Sequence, residues 1–174
     1  MAQPTIPPKA KLFIGLLTAR DDVLFHAINI LQKKYGTIDL QSDPVPFSHT
    51  DYYSTIGKNL YKVFISFEKL INREDIAKIK LFTNKVEQKF LHNGNRTINI
   101  DPGYLTLSNV FLASCKDYFH RVYVGKGVYV ENEYRYVAKH YQPWEWTYPD
   151  YRKKEYLKFF ETLRSIYYEQ IKQR

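Results

Sequence analysis

The run Lys11–Thr18 (KLFIGLLT) constrains the fold most. It is apolar almost throughout, has the length of a strand rather than a helix, and is bounded by polar residues, so it reads as a buried strand. The period then changes. Val23, Leu24, Ala27, Ile28 and Leu31 recur at helical spacing behind Asp21 and Asp22, either of which can cap a first turn. Gly36 suits the left-handed conformation that closes such a helix. Residues 38–40 read as a second strand, and 42–46 as loop or sheet edge because of Pro44 and Pro46. Residues 61–71 alternate and are rich in β-formers, hence a strand. Asn72, with Asp75 three residues on, opens a helix to about residue 91, with Ile76, Ile79, Val86 and Phe90 on one face. Residues 96–100 form the next strand.

Asp101-Pro102-Gly103 reads as a turn, since proline presets φ and glycine accepts positive φ. Residues 105–114 lean to strand. Residues 120–124 and 128–137 are strands joined by Gly125-Lys126-Gly127, a hairpin signal. A last helix begins near Thr147 to Asp150, either of which can cap it, with Leu157, Phe160, Leu163, Tyr167 and Ile171 as its apolar stripe. The prediction is an α+β fold. It has a ferredoxin-like β-α-β-β-α-β start with helices on one face, an antiparallel sheet extended by further strands, and a long C-terminal helix. Residues 1–10, with three prolines, read as a flexible arm, and 11–174 as a single domain.

Composition narrows the partners. The net charge is +8, and the last 24 residues hold seven Lys/Arg against Glu155, Glu161 and Glu169. A basic surface gathers anions such as phosphates and RNA. The one cysteine, Cys115, permits no internal disulfide and reads as a small buried residue. The start lacks the basic and apolar stretches of a signal peptide, and no run reaches the ~18 apolar residues that span a bilayer. The expectation is a cytoplasmic protein with no membrane partner.

Chemistry is suggested by tyrosine: 16 in 174 residues, many beside an acid or a base. A ring offers a flat apolar wall and a hydroxyl that needs a partner when buried, so such segments can line a polar cleft. Lys116-Asp117-Tyr118-Phe119-His120-Arg121 is the densest group. His120 can titrate near neutrality, Asp117 supplies a carboxylate, and Lys116 and Arg121 can hold a phosphate. The same residues also suit a polar turn in which Asp117 bonds local backbone. His49 and Asp51 point the same way in an extended segment and could share Mg²⁺ or another divalent metal with Asp117 or His120. Glu68 is an acid/base candidate if its strand face lines the cleft. Tyr52, Tyr53, Asp101, Tyr104 and Asp150 are cleft-lining candidates. Trp144 and Trp146 read as core anchors. The chain has no phosphate loop, dinucleotide fingerprint, zinc spacing, hydrolase elbow or paired H-x-[ST] motif.

The segments Lys11 to Gly15, Thr50-Asp51-Tyr52-Tyr53 with Gly57, Ser66-Phe67-Glu68, Ile79-Lys80-Leu81 with Thr83-Asn84, Asp101-Pro102-Gly103-Tyr104-Leu105, Lys116-Asp117 with His120-Arg121, and Trp146 to Tyr151 occur in that order. In this the chain resembles the prokaryotic family catalogued as domain of unknown function 4416, over nearly its whole length. The resemblance implies a similar single domain. It also implies that Asp51, Glu68, Asp101, Lys116, Asp117, His120, Arg121 and Asp150 lie together, without implying a reaction. The expected function is binding or processing of a phosphorylated small molecule, nucleotide or RNA end in a tyrosine-lined cleft of mixed charge. Lys116, His120 and Arg121 would hold the anion, and Asp51, Glu68 and Asp117 would supply acid/base or metal contacts. The alternative is a non-catalytic RNA- or protein-binding module that uses the basic, aromatic last helix.

Overall fold

The computed structural model describes residues 1–47, 53 and 55–172. Its centre is strand β1, Lys11–Thr18, every residue of which is buried. Burial on both faces is why this strand reads as an unbroken apolar run instead of alternating. Helix α1 (Asp21–Tyr35) follows, then β2 (Ile38–Gln41), the short edge piece β3 (Val45–Pro46) and β4 (Tyr61–Phe67). Helix α2 (Ile76–Gln88) leads into a small hairpin, β5 (Leu91–His92) and β6 (Asn95–Arg96), and then β7 (Ile98–Leu105) and β8 (Asn109–Ser114). The chain continues through β9 (Val122–Gly125), β10 (Val128–Val137) and β11 (His140–Pro143) to α3 (Lys154–Lys172).

Among the described residues the sheet runs β11-β10-β8-β7-β1-β4-β2, with β3 on β4 and β9 on β10, and every pairing is antiparallel. The expected β-α-β-β-α-β start is present as β7-β1-β4-β2, and the further strands extend it beyond β7 as anticipated. The even positions of β1 (Leu12, Ile14, Leu16) pack with Val23, Ala27 and Leu31 of α1 and Ile79 and Val86 of α2. Phe13 and Phe64 face the other way, onto α3. Phe13 meets Phe160 edge-on at 4.8 Å, and Phe64 meets Tyr156 at 4.7 Å and stacks on Phe159 at 5.3 Å. Two helices cover one face and α3 covers the other, so the expectation of helices on one face holds for α1 and α2 alone.

That arrangement seats the apolar stripe read on α3, and adds Tyr156 and Phe159 to it. Its buried face is Tyr156, Phe159, Phe160, Leu163 and Tyr167, while Leu157 and Ile171 stay partly buried. These aromatics form the core of the second layer. The arm is also less free than its prolines suggest: residues 1–9 are exposed, but Ala10 bridges Ile71, Arg73 donates to the Pro8 carbonyl, and the Tyr167 hydroxyl donates to that of Lys9. Neither α1 nor α2 carries a side-chain cap bond, and β11 goes unseen in the sequence reading. The hairpin at Gly125-Lys126-Gly127 forms as read, with positive φ at all three residues.

Asp101-Pro102-Gly103 is a correction of another kind. These residues lie inside β7, paired along their length with β1. Pro102 is tolerated because pairing with β8 begins only at Gly103. Gly103 is required by packing: a Cβ there would sit 2.2 Å from the Phe111 carbonyl and 2.3 Å from the Phe13 ring. Neither the backbone nor a core ring can yield by an ångström without strain. Gly103→Ala is expected to cost about 3 kcal/mol, read as a lowered urea midpoint with an unchanged slope.

Candidate functional site

A cleft of about 680 Å³ opens at one end of this sheet, a size that suits a small ligand. It is bounded by the start of β4 and of β7, the end of β8, the last turn of α2, the β5–β6 hairpin and residues 148–151. Four cations and four carboxylates line it: Lys62, Lys80, Arg96 and Lys116 against Glu87, Asp101, Glu131 and Asp150. Phe47, Tyr53, Tyr148 and Tyr151 supply ring walls.

The charges are paired across elements. Lys62 on β4 meets Asp150 at 2.5 Å with both side chains buried, and its ammonium lies 4.9 Å from the Tyr151 ring centre and 5.2 Å from that of Phe47. Lys80 on α2 meets Asp101 on β7 at 2.9 Å and also donates to the Ile100 carbonyl. Arg96 reaches Glu87 at 3.3 Å and Asn99 at 3.1 Å. The Glu87 carboxylate also accepts the Ile100 N–H at 2.6 Å. The two carboxyls nearest Lys80 are driven apart. Burial raises Glu87 above the usual carboxyl range against the pull of Lys80, and the charge of Asp101 adds to the rise. Burial opposes ionisation at Asp101 too, but there the Lys80 ammonium and the Asn99 amide win and hold its pKa below normal. Two carboxyls pushed in opposite directions about a single lysine are the kind of pair acid–base chemistry uses.

A second acidic group lies deeper, on β10. Glu131 and Glu133 are almost fully buried, and the ladder to β8 shifts register between Asn132 and Tyr134, at Glu133. Glu131 is gripped by His120 Nε2 at 2.6 Å and by Arg121 at 3.0 Å. Arg121 is itself fixed by Ser114 Oγ at 3.1 Å, the Lys116 carbonyl at 2.9 Å and the Tyr148 hydroxyl at 2.7 Å. The His120 ring stacks on Trp146 at 5.5 Å, Trp146 stacks on Trp144 at 5.1 Å, and the Arg135 guanidinium covers Trp144 at 4.5 Å. Both tryptophans are thus half-buried props that set the imidazole, not core anchors. Glu133 has no donor in bonding geometry for either carboxyl oxygen among the described residues. Burial first, and then the charges of Glu131 and Asp150, push its pKa well above the ordinary carboxyl value. Burial also raises Tyr148, to about 12, so its hydroxyl keeps its proton at neutral pH.

The candidates fall into three groups. Tyr53, Asp101, Lys116 and Asp150 line the cleft. Asp150 does so as the partner of Lys62 and does not cap α3, and Thr147 instead donates to the Glu133 carbonyl at 2.6 Å. His120 and Arg121 stand behind the wall, both paired with Glu131. Glu68, Asp117 and Tyr104 are elsewhere. Glu68 is exposed past the far end of β4, roughly 20 Å of strand from Lys62. Asp117 is exposed outside the cleft lining, and Tyr104 is buried against Phe111 at 4.9 Å. Cys115 is exposed on the cleft wall, where Asn84 donates to its sulfur at 3.3 Å, and is not the buried residue expected. His49, Asp51 and Tyr52 lie outside the described residues. Among the described residues no three His, Cys, Asp or Glu side chains converge as metal ligands, and no helix is long and apolar enough to cross a membrane.

Lys62, Lys80, Glu87, Arg96, Glu131 and Glu133 escape the sequence reading. A signal existed for two of them. Lys80, Thr83 and Glu87 follow the 3- and 4-residue steps that mark one helix face, and all three are buried.

The family described as a domain of unknown function, DUF4416, matches residues 8–167, and the chain belongs to it. No curated protein and no solved structure matches the chain.

Glu133 yields a pH-dependent expectation. Its folded pKa is raised, so the stability it allows is fully present below the unfolded carboxyl pKa near 4.3 and declines as pH rises above that value. Glu133→Gln removes the linked proton. The variant should match the parent at pH 4 and exceed it at pH 8 by on the order of 1–3 kcal/mol, measured by urea unfolding at both pH values.

Proposed function

We propose that this member of the DUF4416 family binds a phosphorylated small molecule in the sheet-end cleft, with nucleotides as the class its walls favour, and acts on it by proton transfer. The observation that carries the reading is the gathering of Lys62, Lys80, Arg96 and Lys116 with four carboxylates and four aromatic rings about one hollow. Equal numbers of cations and acids would give a neutral lining. Burial disfavours the charged form of Glu87, which tilts that balance toward an anion. Arg96 and the exposed Lys116 meet the phosphate, since a guanidinium and an ammonium both suit phosphate oxygens. The tyrosine rings give a flat base an apolar surface while their hydroxyls serve its polar edge. Asp101, kept ionised beside Lys80, and Glu87, whose hold on a proton burial strengthens, are the pair for proton transfer.

The reading is tested by thermal shift and calorimetry with nucleoside mono-, di- and triphosphates, sugar phosphates and the matching unphosphorylated nucleosides. Phosphorylated members should raise Tm and the nucleosides should not. Lys116→Glu and Arg96→Glu should each weaken the best ligand at least about tenfold, about 1.4 kcal/mol. Millimolar phosphorylated compounds that leave the parent Tm unmoved, or nucleosides that bind equally well, overturn it.

A further inference from the structure

A second hollow, of about 530 Å³, lies at the opposite end of β4, between the C-terminal turn of α1 and the first half of α2. Lys9, Lys34, Lys69 and Lys78 line it, against Asp75 alone. Asp75 is engaged by Lys78 at 3.1 Å and by Asn72 at 3.3 Å. Lys9, Lys34 and Lys69 are exposed and have no carboxylate partner among the described residues. Glu68 and Glu74 are the nearest acids in sequence, and neither lines the hollow. Like charges drawn around one concavity repel, and side chains as long as lysine could swing apart. Four of them on one small hollow is a field that an anion relieves.

The type of cation argues for the ligand. All four are ammonium groups on flexible stems, with no guanidinium fork to read a fixed outline, so recognition is by charge and not by shape. Two rings complete the wall, Tyr35 and Phe82, set edge-on at 5.8 Å, with Lys34 over the Phe82 face at 5.5 Å. Clustered point charges beside rings are the means by which proteins hold single strands without regard to sequence. We infer that this groove binds the phosphodiester backbone of a single-stranded nucleic acid. The site is separate from the sheet-end cleft and stands whether or not that cleft takes a phosphorylated ligand. It also differs from the basic start of α3, where Lys153 is already committed to the Pro46 carbonyl at 2.5 Å.

The experiment is fluorescence anisotropy with labelled twelve-nucleotide oligouridine and oligothymidine at 50 and 200 mM KCl. Each single-strand phosphate contact contributes a salt slope of about −0.7, so four lysines give about −2.8 and a roughly 50-fold loss of affinity between the two salts. Lys34→Glu/Lys69→Glu, at two exposed positions, should fold with an unchanged Tm, bind at least tenfold more weakly at 50 mM and show about half the slope. Lys153→Glu/Lys154→Glu should stay within threefold of the parent. The inference is overturned by no binding at 50 mM, by a groove variant that binds like the parent, or by an equal loss in the Lys153/Lys154 variant, which would mean diffuse attraction to net charge. Tripolyphosphate bound in calorimetry and lost in the groove variant, with neither oligonucleotide bound, would assign the groove to a small polyphosphate instead and overturn the nucleic-acid reading.

Discussion

A central strand with apolar residues on both faces must be covered on both faces, and the architecture follows from that demand on β1. Its even residues need α1 and α2, and Phe13 needs α3. Neighbouring strands must also come close enough to complete the cover. Gly103 is the sharpest consequence, because its bare Cα is what lets β7, β8 and the Phe13 ring occupy the same space. The sheet then grows outward from β7 through β8, β10 and β11, which carries Glu131 to the wall of a cleft whose other wall is α2.

At that cleft the packing encloses charge. Removing a lysine and a carboxylate from water together is tolerable only when they face each other, and leaving one of them alone is costly. Lys62 with Asp150, and Lys80 with Asp101, satisfy this rule by joining segments far apart in the chain. Glu133 does not satisfy it, and neither does the second ring nitrogen of His120. A fold under selection for stability alone would fill such positions with apolar side chains. Glu133 stands two residues from the cleft-lining Glu131 and His120 is bonded to Glu131, which is the ground on which function is proposed at this end of the sheet. The His120–Trp146–Trp144–Arg135 stack adds rigidity behind Glu131, since each flat group limits the rotation of the next.

Local signals carried far in the sequence. The eight-residue apolar run, the helical period of 23–31 and the Gly125-Lys126-Gly127 hairpin each depend on neighbours a few positions away, and each was legible. Asp101-Pro102-Gly103 was not, because its dipeptide chemistry favours a turn while its pairing with β1, some 90 residues earlier, makes it a strand. Glu68 shows the same limit for chemistry. Its face on the strand could be read from alternation, but which end of the sheet holds the cleft depends on the order of strands.

The sequence by itself determined most of the elements, the α+β class, the basic balance and the candidate status of Asp101, Lys116 and Asp150, because period, turn chemistry and residue type are local properties. Tertiary structure alone decided that Lys62 would meet Asp150, that Lys80 would divide Glu87 from Asp101, and that four lysines would gather at the other end of β4. Those outcomes follow from distances between segments that only the closed sheet and its two helical layers bring together, and burial is what gives those distances their electrostatic force.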